Sequence, residues 1–505
     1  MKAFCFSLAF LCLVQTILAL PRPDFGINGD VANSDKTAVA ADGLKAEFIL
    51  TGLKDITLTA GYTMLGTMRT KLIAIGDAIE TKGTALATQL KTLSLDDVGP
   101  YTPAFGLVET KLTELETLFR TGLATLISEL KTAIRENNAI KIQFDDAFGD
   151  VLATIGTFRT ALGTLKTDVG KAQRAAGTSS TVSTTIIKKN IAAKSVTDVI
   201  TNTRTLRANV QLVNYIINSS LENLDLADEF IVEITGDAED HVGFYATSVS
   251  DFQDYLTIEE TATLSAEVDD NEPDTVSVLL AEIDAALTAA TGYTSSTLKS
   301  EVEGLGDALF NGLEAAKTAF GTSLSEYSAI VPDYFEDLNV DLGNALCLPI
   351  ETVSEALAAN APNSDFCFSK YSPRVVALLS LTISAFDMCF QREVDKFVTL
   401  EEVVAAIVVQ IGYNLEDLYG NLATCLLLDD PDLTSCFTTI QPYYTALATQ
   451  VTEHTTTLSD LVDAEAQASE NRLGACLISS LYVTIFQGME ISDDTGSCML
   501  NGPQA

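Results

Sequence analysis

Tryptophan is absent from this 505-residue chain, and histidine occurs only twice, at His241 and His454. Neither histidine belongs to H-E-x-x-H or to an i, i+4 pair, which excludes a zinc protease on ligand count. His241 follows Asp237, Glu239 and Asp240, a pattern that reads as a solvated acidic surface. There is no G-x-S-x-G nucleophile elbow. Ser296-Thr297-Leu298-Lys299 fits S-x-x-K but lacks the partner motifs of that chemistry. C-x-x-C is missing too, so zinc and thioredoxin-like chemistry lack their usual ligands. Basic residues are scarce, 30 against 69 acidic ones, for a net charge of −39. Phosphate binding needs clustered Lys and Arg, which excludes nucleic acid as a partner class and disfavours anionic membranes. The excess of acid favours solubility and attraction to cations or basic partners. The acidic run Glu267-Val268-Asp269-Asp270-Asn271-Glu272-Pro273-Asp274 lacks EF-hand spacing and its central glycine. It reads as a solvated loop between helices, with weak, delocalised Ca2+ binding at most. No catalytic, cofactor-binding or metal-ligating residue emerges, and no cofactor is expected.

What is present begins with a secretory pattern. Lys2 precedes an apolar run from Ala3 to Val14, and Ile17-Leu18-Ala19 supplies a small residue at a cleavage point before Leu20-Pro21-Arg22-Pro23. Residues 1–19 are therefore expected to be a signal peptide and 20–39 an extended N-terminal segment. Cleavage would remove Lys2, Cys5 and Cys12 and leave a secreted chain. The best later candidate for a span, Val375 to Phe386, is interrupted by Asp387 and too short to cross a bilayer. The expectation is a soluble extracellular protein with no transmembrane anchor. Hydrophobic residues make up 47% of the chain, enough for a sizeable core and against disorder.

After Pro103 no proline occurs until Pro273, and apolar residues there alternate at steps of three and four. Phe144, Phe148, Val151, Ile155, Phe158, Leu162, Leu165 and Val169 are spaced 4-3-4-3-4-3-4, the coiled-coil period. Further stripes are Leu65, Met68, Leu72, Ile75, Ile79, Leu86 and Leu93, with Lys82 in the seam; and Val108, Leu112, Leu115, Phe119, Leu123, Leu126 and Leu130. Two more are Val196, Val199, Leu206, Val210, Val213, Ile217 and Leu224, with Thr203 in the seam; and Val302, Leu305, Leu309, Leu313, Ala316, Phe320 and Tyr327. The spacing predicts an all-α protein. Residues 40–335 form a bundle of five or more long amphipathic, coiled-coil-like helices packed together or between chains. Gly122, Gly156, Gly163 and Thr203 in the stripes are expected to permit close helix approach. Residues 177–185, rich in Ser and Thr, read as a linker. Nine Lys or Arg lie in residues 159–207 and none from Ala208 to Leu298, so the basic helices are expected to face the acidic stretch 225–274 or a neighbouring molecule.

All later cysteines fall near the C-terminus, at Cys347, Cys367, Cys389, Cys425, Cys436, Cys476 and Cys498. In a secreted chain this crowding predicts disulfides, with one cysteine left over for a buried thiol or a bond between chains. Apolar positions Val394, Phe397, Val398, Val404, Ile407, Ile411, Leu415, Leu418 and Leu422 again follow a helical period. Residues 341–500 are expected to form a smaller disulfide-stapled helical domain of four or five helices, its pairing open. Cys367, Cys389, Cys425 and Cys476, with the Leu- and Val-rich helices between them, resemble the TsetseEP domain family over about residues 345–500. The Glu-Pro repeats of that family are absent, Glu272-Pro273 being the only such pair. The resemblance implies a secreted protein of gut or other secretory epithelium, without an established enzymatic role. Asn218-Ser219-Ser220 is the one N-glycosylation sequon. Together these features lead to the expectation of a secreted, non-enzymatic structural or interaction protein. It would act by helix–helix association, with itself or another secreted protein; the alternative is a carrier of lipids or small apolar ligands in a bundle that opens.

Overall fold

The computed structural model describes residues 24–52, 55–96, 99–271, 274–290 and 297–504. The expected signal peptide, Cys5, Cys12, Ser296 and the Glu272-Pro273 pair lie outside them. Among the described residues there is no β-strand, only an isolated bridge between Asp24 and Ile27. The fold is all-α. The helices are α1 Ser34–Gly52, α2 Thr63–Ser94, α3 Tyr101–Thr117, α4 Ala124–Ala133, α5 Ala139–Ala176 and α6 Thr184–Asn190. They continue with α7 Ala193–Asp254, α8 Thr261–Asn271, α9 Asp274–Ala289, α10 Leu298–Ala358, α11 Ser364–Cys425 and α12 Asp432–Asn501. The expected extended segment thus gives way to helix at Ser34. Residues 177–183 of the expected linker are non-helical, and α6 begins at Thr184, where the Ser183 side chain accepts from Ile186 N–H.

The chain divides into two compact units that are discontinuous in sequence. One comprises residues up to 233, 350–372 and from 492 on; the other comprises 234–349 and 373–491. The expected boundary near 335–341 falls inside α10, which runs unbroken from Leu298 to Ala358. Sequential blocks of periodicity do not disclose such interleaving, because a helix passes from one core into another without changing its period.

In the first unit every member of the 144–169 stripe is buried, as are the apolar members of the 65–93 stripe and all of the 196–224 stripe with Thr203; Lys82, expected in the seam, is only half-buried, and Gly83 beside it is buried instead. At roughly 1.5–3 kcal/mol for each fully buried large apolar side chain, these seams outweigh the poor helix propensity of their Thr and Gly neighbours. The 108–130 stripe shifts midway. Residues Leu118–Gly122 form a π-helical turn in which Leu123 N–H donates to Leu118 O (3.1 Å). After this turn Leu123 and Leu130 are buried as expected, while Ile127 is buried and Leu126 only half-buried. The glycines that admit a neighbour also differ from expectation. Gly156 and Gly163 have nothing within 4 Å of a Cβ position, whereas a Cβ on Gly76 would lie 2.2 Å from Thr51 O and one on Gly83 2.1 Å from the Phe48 ring. Close approach is made there, one heptad apart, where α1 packs on α2.

The charge arrangement also differs from the expected facing of basic helices and the 225–274 stretch. Arg159 pairs with Glu116, Lys166 with Glu109, Lys171 with Asp168, Lys194 with Asp198 and Arg207 with Glu47. The turn between α10 and α11 is held by Asn360, which adopts φ 49°. Its side-chain amide donates to Ser219 and Ser220, and its carbonyl oxygen and side-chain oxygen accept from Gln143 and Asn223. Asn tolerates this left-handed conformation better than most residues.

The second unit holds the 302–327 stripe, all of it buried, and an aromatic core in which Tyr245 touches Phe335, Phe386 and Phe390 while Phe252 touches Tyr327 and Phe390. Instead of four or five C-terminal helices, α11 and α12 run for 62 and 70 residues straight through Pro373 and Pro442. Each proline removes one backbone donor, and burial over the rest of the helix outweighs that loss. Both contain windows long and apolar enough to cross a membrane, with 44% and 33% of those windows buried in the fold; the sequence expectation had found none. The apolar period of α11 holds at Phe397, Val404, Ile411, Leu415, Leu418 and Leu422, but Val398 is 49% exposed and Val394 and Ile407 are only half-buried. Glu393, Leu400 and Val408 take the buried positions instead.

Candidate functional site

The cysteines pair as Cys367–Cys498, Cys389–Cys476 and Cys425–Cys436, all joining α11 to α12. Cys347 stands outside these bonds, exposed on α10. The remaining sequence candidates do not converge. Asn218 is half-buried within α7, and the Ser220 hydroxyl of its sequon is buried against Asn360. His241 Nδ1 contacts Asp237 O at 2.6 Å on its own helix. Lys299 pairs with Asp284 and Glu303. The acidic run expected as a loop is helical as far as Asn271, with Asp269 accepting from Lys317. Among the described residues no three His, Cys, Asp or Glu side chains gather as a metal site.

One buried carboxyl stands out. A second π-helical turn, Tyr255–Glu260, follows α7 and places Glu260 fully out of solvent. Tyr255 Oη donates to Glu260 Oε2 (2.6 Å), while Oε1 has no hydrogen-bond partner and the Glu401 carboxyl lies nearby. Burial pushes the Glu260 pKa up to about 8; the Tyr255 bond opposes that rise and Glu401 adds to it. Burial, with Glu260 and Glu401 close by, also raises the Tyr255 hydroxyl well above its ordinary value. A perturbed carboxyl beside a second carboxyl is the raw material of acid–base catalysis. Catalysis also needs contact with substrate, and Glu260 is closed in.

Each unit also carries an open concavity. In the first unit an open depression of about 790 Å3 is lined by Lys82, Gly106, Glu109, Thr113, Glu114 and Gly122. Its charges are already committed: Glu114 is bound by Lys82 and Lys111, and hydrogen bonds from Lys111 and Lys82 hold its carboxyl below the usual range. Lys166 takes Glu109. The charged groups of the depression are thus already paired.

The second, in the other unit, is a groove of about 560 Å3 between α10 and α12. Tyr334, Leu338 and Ala345 line one wall and Ile478, Leu481, Tyr482 and Ile485 the other, with Asp337, Asp341 and Asn344 on the α10 side. Two glycines on α12 set its ends. A Cβ on Gly474 would come 3.0 Å from Tyr334 Oη, and one on Gly488 3.2 Å from Ala345 O. Fourteen residues of helix separate them, about 21 Å at the helical rise. Leu473, Leu477, Leu481, Thr484 and Ile491 carry the core stripe of α12. Beside it runs a second apolar row that faces solvent: Ile478 (47% exposed), Tyr482 (58%), Phe486 (68%) and Met489 (49%), spaced 4-4-3 on one face. The rotation of α12 here is fixed from α11, by Cys389–Cys476 and by a 2.6 Å hydroxyl contact between Thr382 and Thr484. The single-stripe reading of the sequence missed this row. Its signal was present: Leu477, Ile478, Leu481, Tyr482, Val483, Ile485, Phe486 and Met489 are more apolar residues than one buried face can take.

No protein-family model, no curated protein and no solved structure matches the chain.

Proposed function

We propose that this is a non-enzymatic interaction protein of an oxidising, extracellular setting that works by presenting a braced helical surface to another helix. The observation that carries this reading is the exposed apolar row Ile478, Tyr482, Phe486 and Met489 on a helix whose rotation is locked by a disulfide. A contiguous apolar face exposed on a rigid element marks an interaction surface more often than a random surface does. Three disulfides are the chemistry of secreted chains rather than of the cytosol. The resemblance of the cysteine spacing to a secreted family agrees with that setting. The alternative, a carrier of lipids or small apolar ligands, requires the bundle to open. The enclosed space among Leu280, Ile283, Leu305, Leu418 and Tyr444 is about 10 Å3, less than one water needs.

Photo-crosslinking tests the association reading. A benzophenone side chain placed at position 486 should give defined covalent adducts when the protein is expressed into a secretory compartment and crosslinked in the secreted fraction. The same group at position 215, which is equally exposed (69%) on α7, should not. Equal labelling at both positions, or none at 486, would count against it.

A further inference from the structure

The α10–α12 groove carries a second property, the sign of its rim. Asp337 and Asp341 line it, and Asp333 and Glu336 stand exposed on the same helix. Residues 318–369 contain no Lys or Arg. Within α12 the single cation, Arg472, is taken by Glu393 and Glu465. The groove therefore combines an apolar floor with an uncompensated anionic edge. Its length between Gly474 and Gly488 suits about four helical turns.

We propose that this groove receives a cationic amphipathic helix of a partner protein, one with apolar residues at i, i+3, i+4 and i+7 and Lys or Arg beside them. The inference rests on the association reading above and specifies its partner. An incoming helix of that kind places its apolar stripe against Leu338, Leu481, Tyr482 and Ile485, the groove mode of helix recognition. Its flanking cations meet Asp337 and Asp341. A second copy of the chain is the poorer occupant, because two molecules of net charge −39 repel as they approach.

The absence of tryptophan makes the test direct. A synthetic Leu/Lys amphipathic peptide about 18 residues long, with one Trp on its apolar face, supplies the only indole emission when mixed with the full-length protein. The expected result is a saturable blue shift with one-to-one stoichiometry, weakened severalfold by added salt. The same peptide with Glu replacing Lys should give no shift. Ile478→Lys with Tyr482→Lys should weaken binding at least tenfold, and Asp337→Asn with Asp341→Asn severalfold. All four are surface positions, so circular dichroism should match the wild type. Val39→Lys with Tyr215→Lys adds the same charge on exposed sites of the first unit and should leave binding intact. Binding unchanged by the groove substitutions, or equal for the Glu peptide, overturns the proposal. So does a dimer of the protein alone that the groove substitutions abolish, which would assign the groove to a second copy. Adducts at position 486 without peptide binding would remove the cationic-helix inference and leave the association reading standing.

Discussion

Replacing Glu260 with Gln should stabilise the protein at neutral and alkaline pH and leave it unchanged near pH 4. The side chain is fully buried, and burial, with Glu401 beside it, raises its pKa from the ordinary 4.5 to about 8. The folded chain therefore keeps a proton that the unfolded chain releases between those two values. The resulting contribution to stability is complete below about pH 4.5 and declines as pH rises through 8. At about 1.4 kcal/mol per pH unit, the ceiling is ~5 kcal/mol over the whole window and ~3 kcal/mol by pH 7. Gln has nearly the same shape and no charge to bury. Its carbonyl can accept from Tyr255 Oη, as Glu260 Oε2 does, and its amide lies on the side of Glu401. Thermal unfolding of both chains, followed by circular dichroism from pH 4 to pH 9, reads Glu260 together with its coupling to Glu401 and Tyr255, the titrations remote from this cluster being common to the two. The midpoint difference should start near zero and grow with pH in favour of the variant. A difference that is flat across the range, or that falls above pH 7, would refute the premise that the folded chain holds this carboxyl protonated.

Replacing Cys389 and Cys476 with Ala opens a staple spanning 87 residues, and the chain-entropy account assigns it about 4–5 kcal/mol, against about 3 for the 11-residue Cys425–Cys436 loop. Urea midpoints should fall in that order, and the reverse order would contradict the loop argument. Gly76→Ala drives a methyl against the Thr51 carbonyl and should cost roughly 1–3 kcal/mol. Gly156→Ala, with open space around it, should gain up to ~1 kcal/mol from helix propensity; similar effects at the two sites would refute the packing of α1 on α2. Arg472→Ala strips the bidentate cation from buried Glu393 and should lose roughly 1–3 kcal/mol by denaturant titration.

The all-α class and most of the buried face were legible in the residues. An eight-member stripe from Phe144 to Val169 has one physical solution, and every member is buried. Departures occur where a local step or a distant partner enters. Past the π-helical turn at Leu118–Gly122, Ile127 rather than Leu126 is buried while Leu123 and Leu130 keep their expected places, and no propensity encodes that turn. A polarity count places Val398 inside and Glu393 outside. The reverse holds because Arg472, 79 residues away, neutralises Glu393. The cysteine pairing was equally out of reach, since it depends on how α11 lies against α12. The glycines that matter, Gly76 and Gly83, looked no different in sequence from Gly156 and Gly163.

The groove was hidden for a related reason. Residues 477–489 hold two adjacent apolar stripes, and periodicity alone cannot decide which of them is buried. Two glycines and two cross-links decide it: Gly474 and Gly488 leave room for Tyr334 and Ala345 of α10 at either end of the groove, while Cys476 and Thr484 turn Leu477 and Leu481 inward. Ile478, Tyr482 and Phe486 are then left outside by geometry, on a helix that cannot rotate to hide them. An exposed apolar row on a freely turning helix would relax into the nearest core. Held between a disulfide and a buried hydroxyl contact, it stays in place for a partner, and the ordering cost of binding is met largely in advance. Reducing Cys389–Cys476 should therefore weaken groove binding more than it lowers helix content, a comparison that the Trp peptide and circular dichroism make on the same sample.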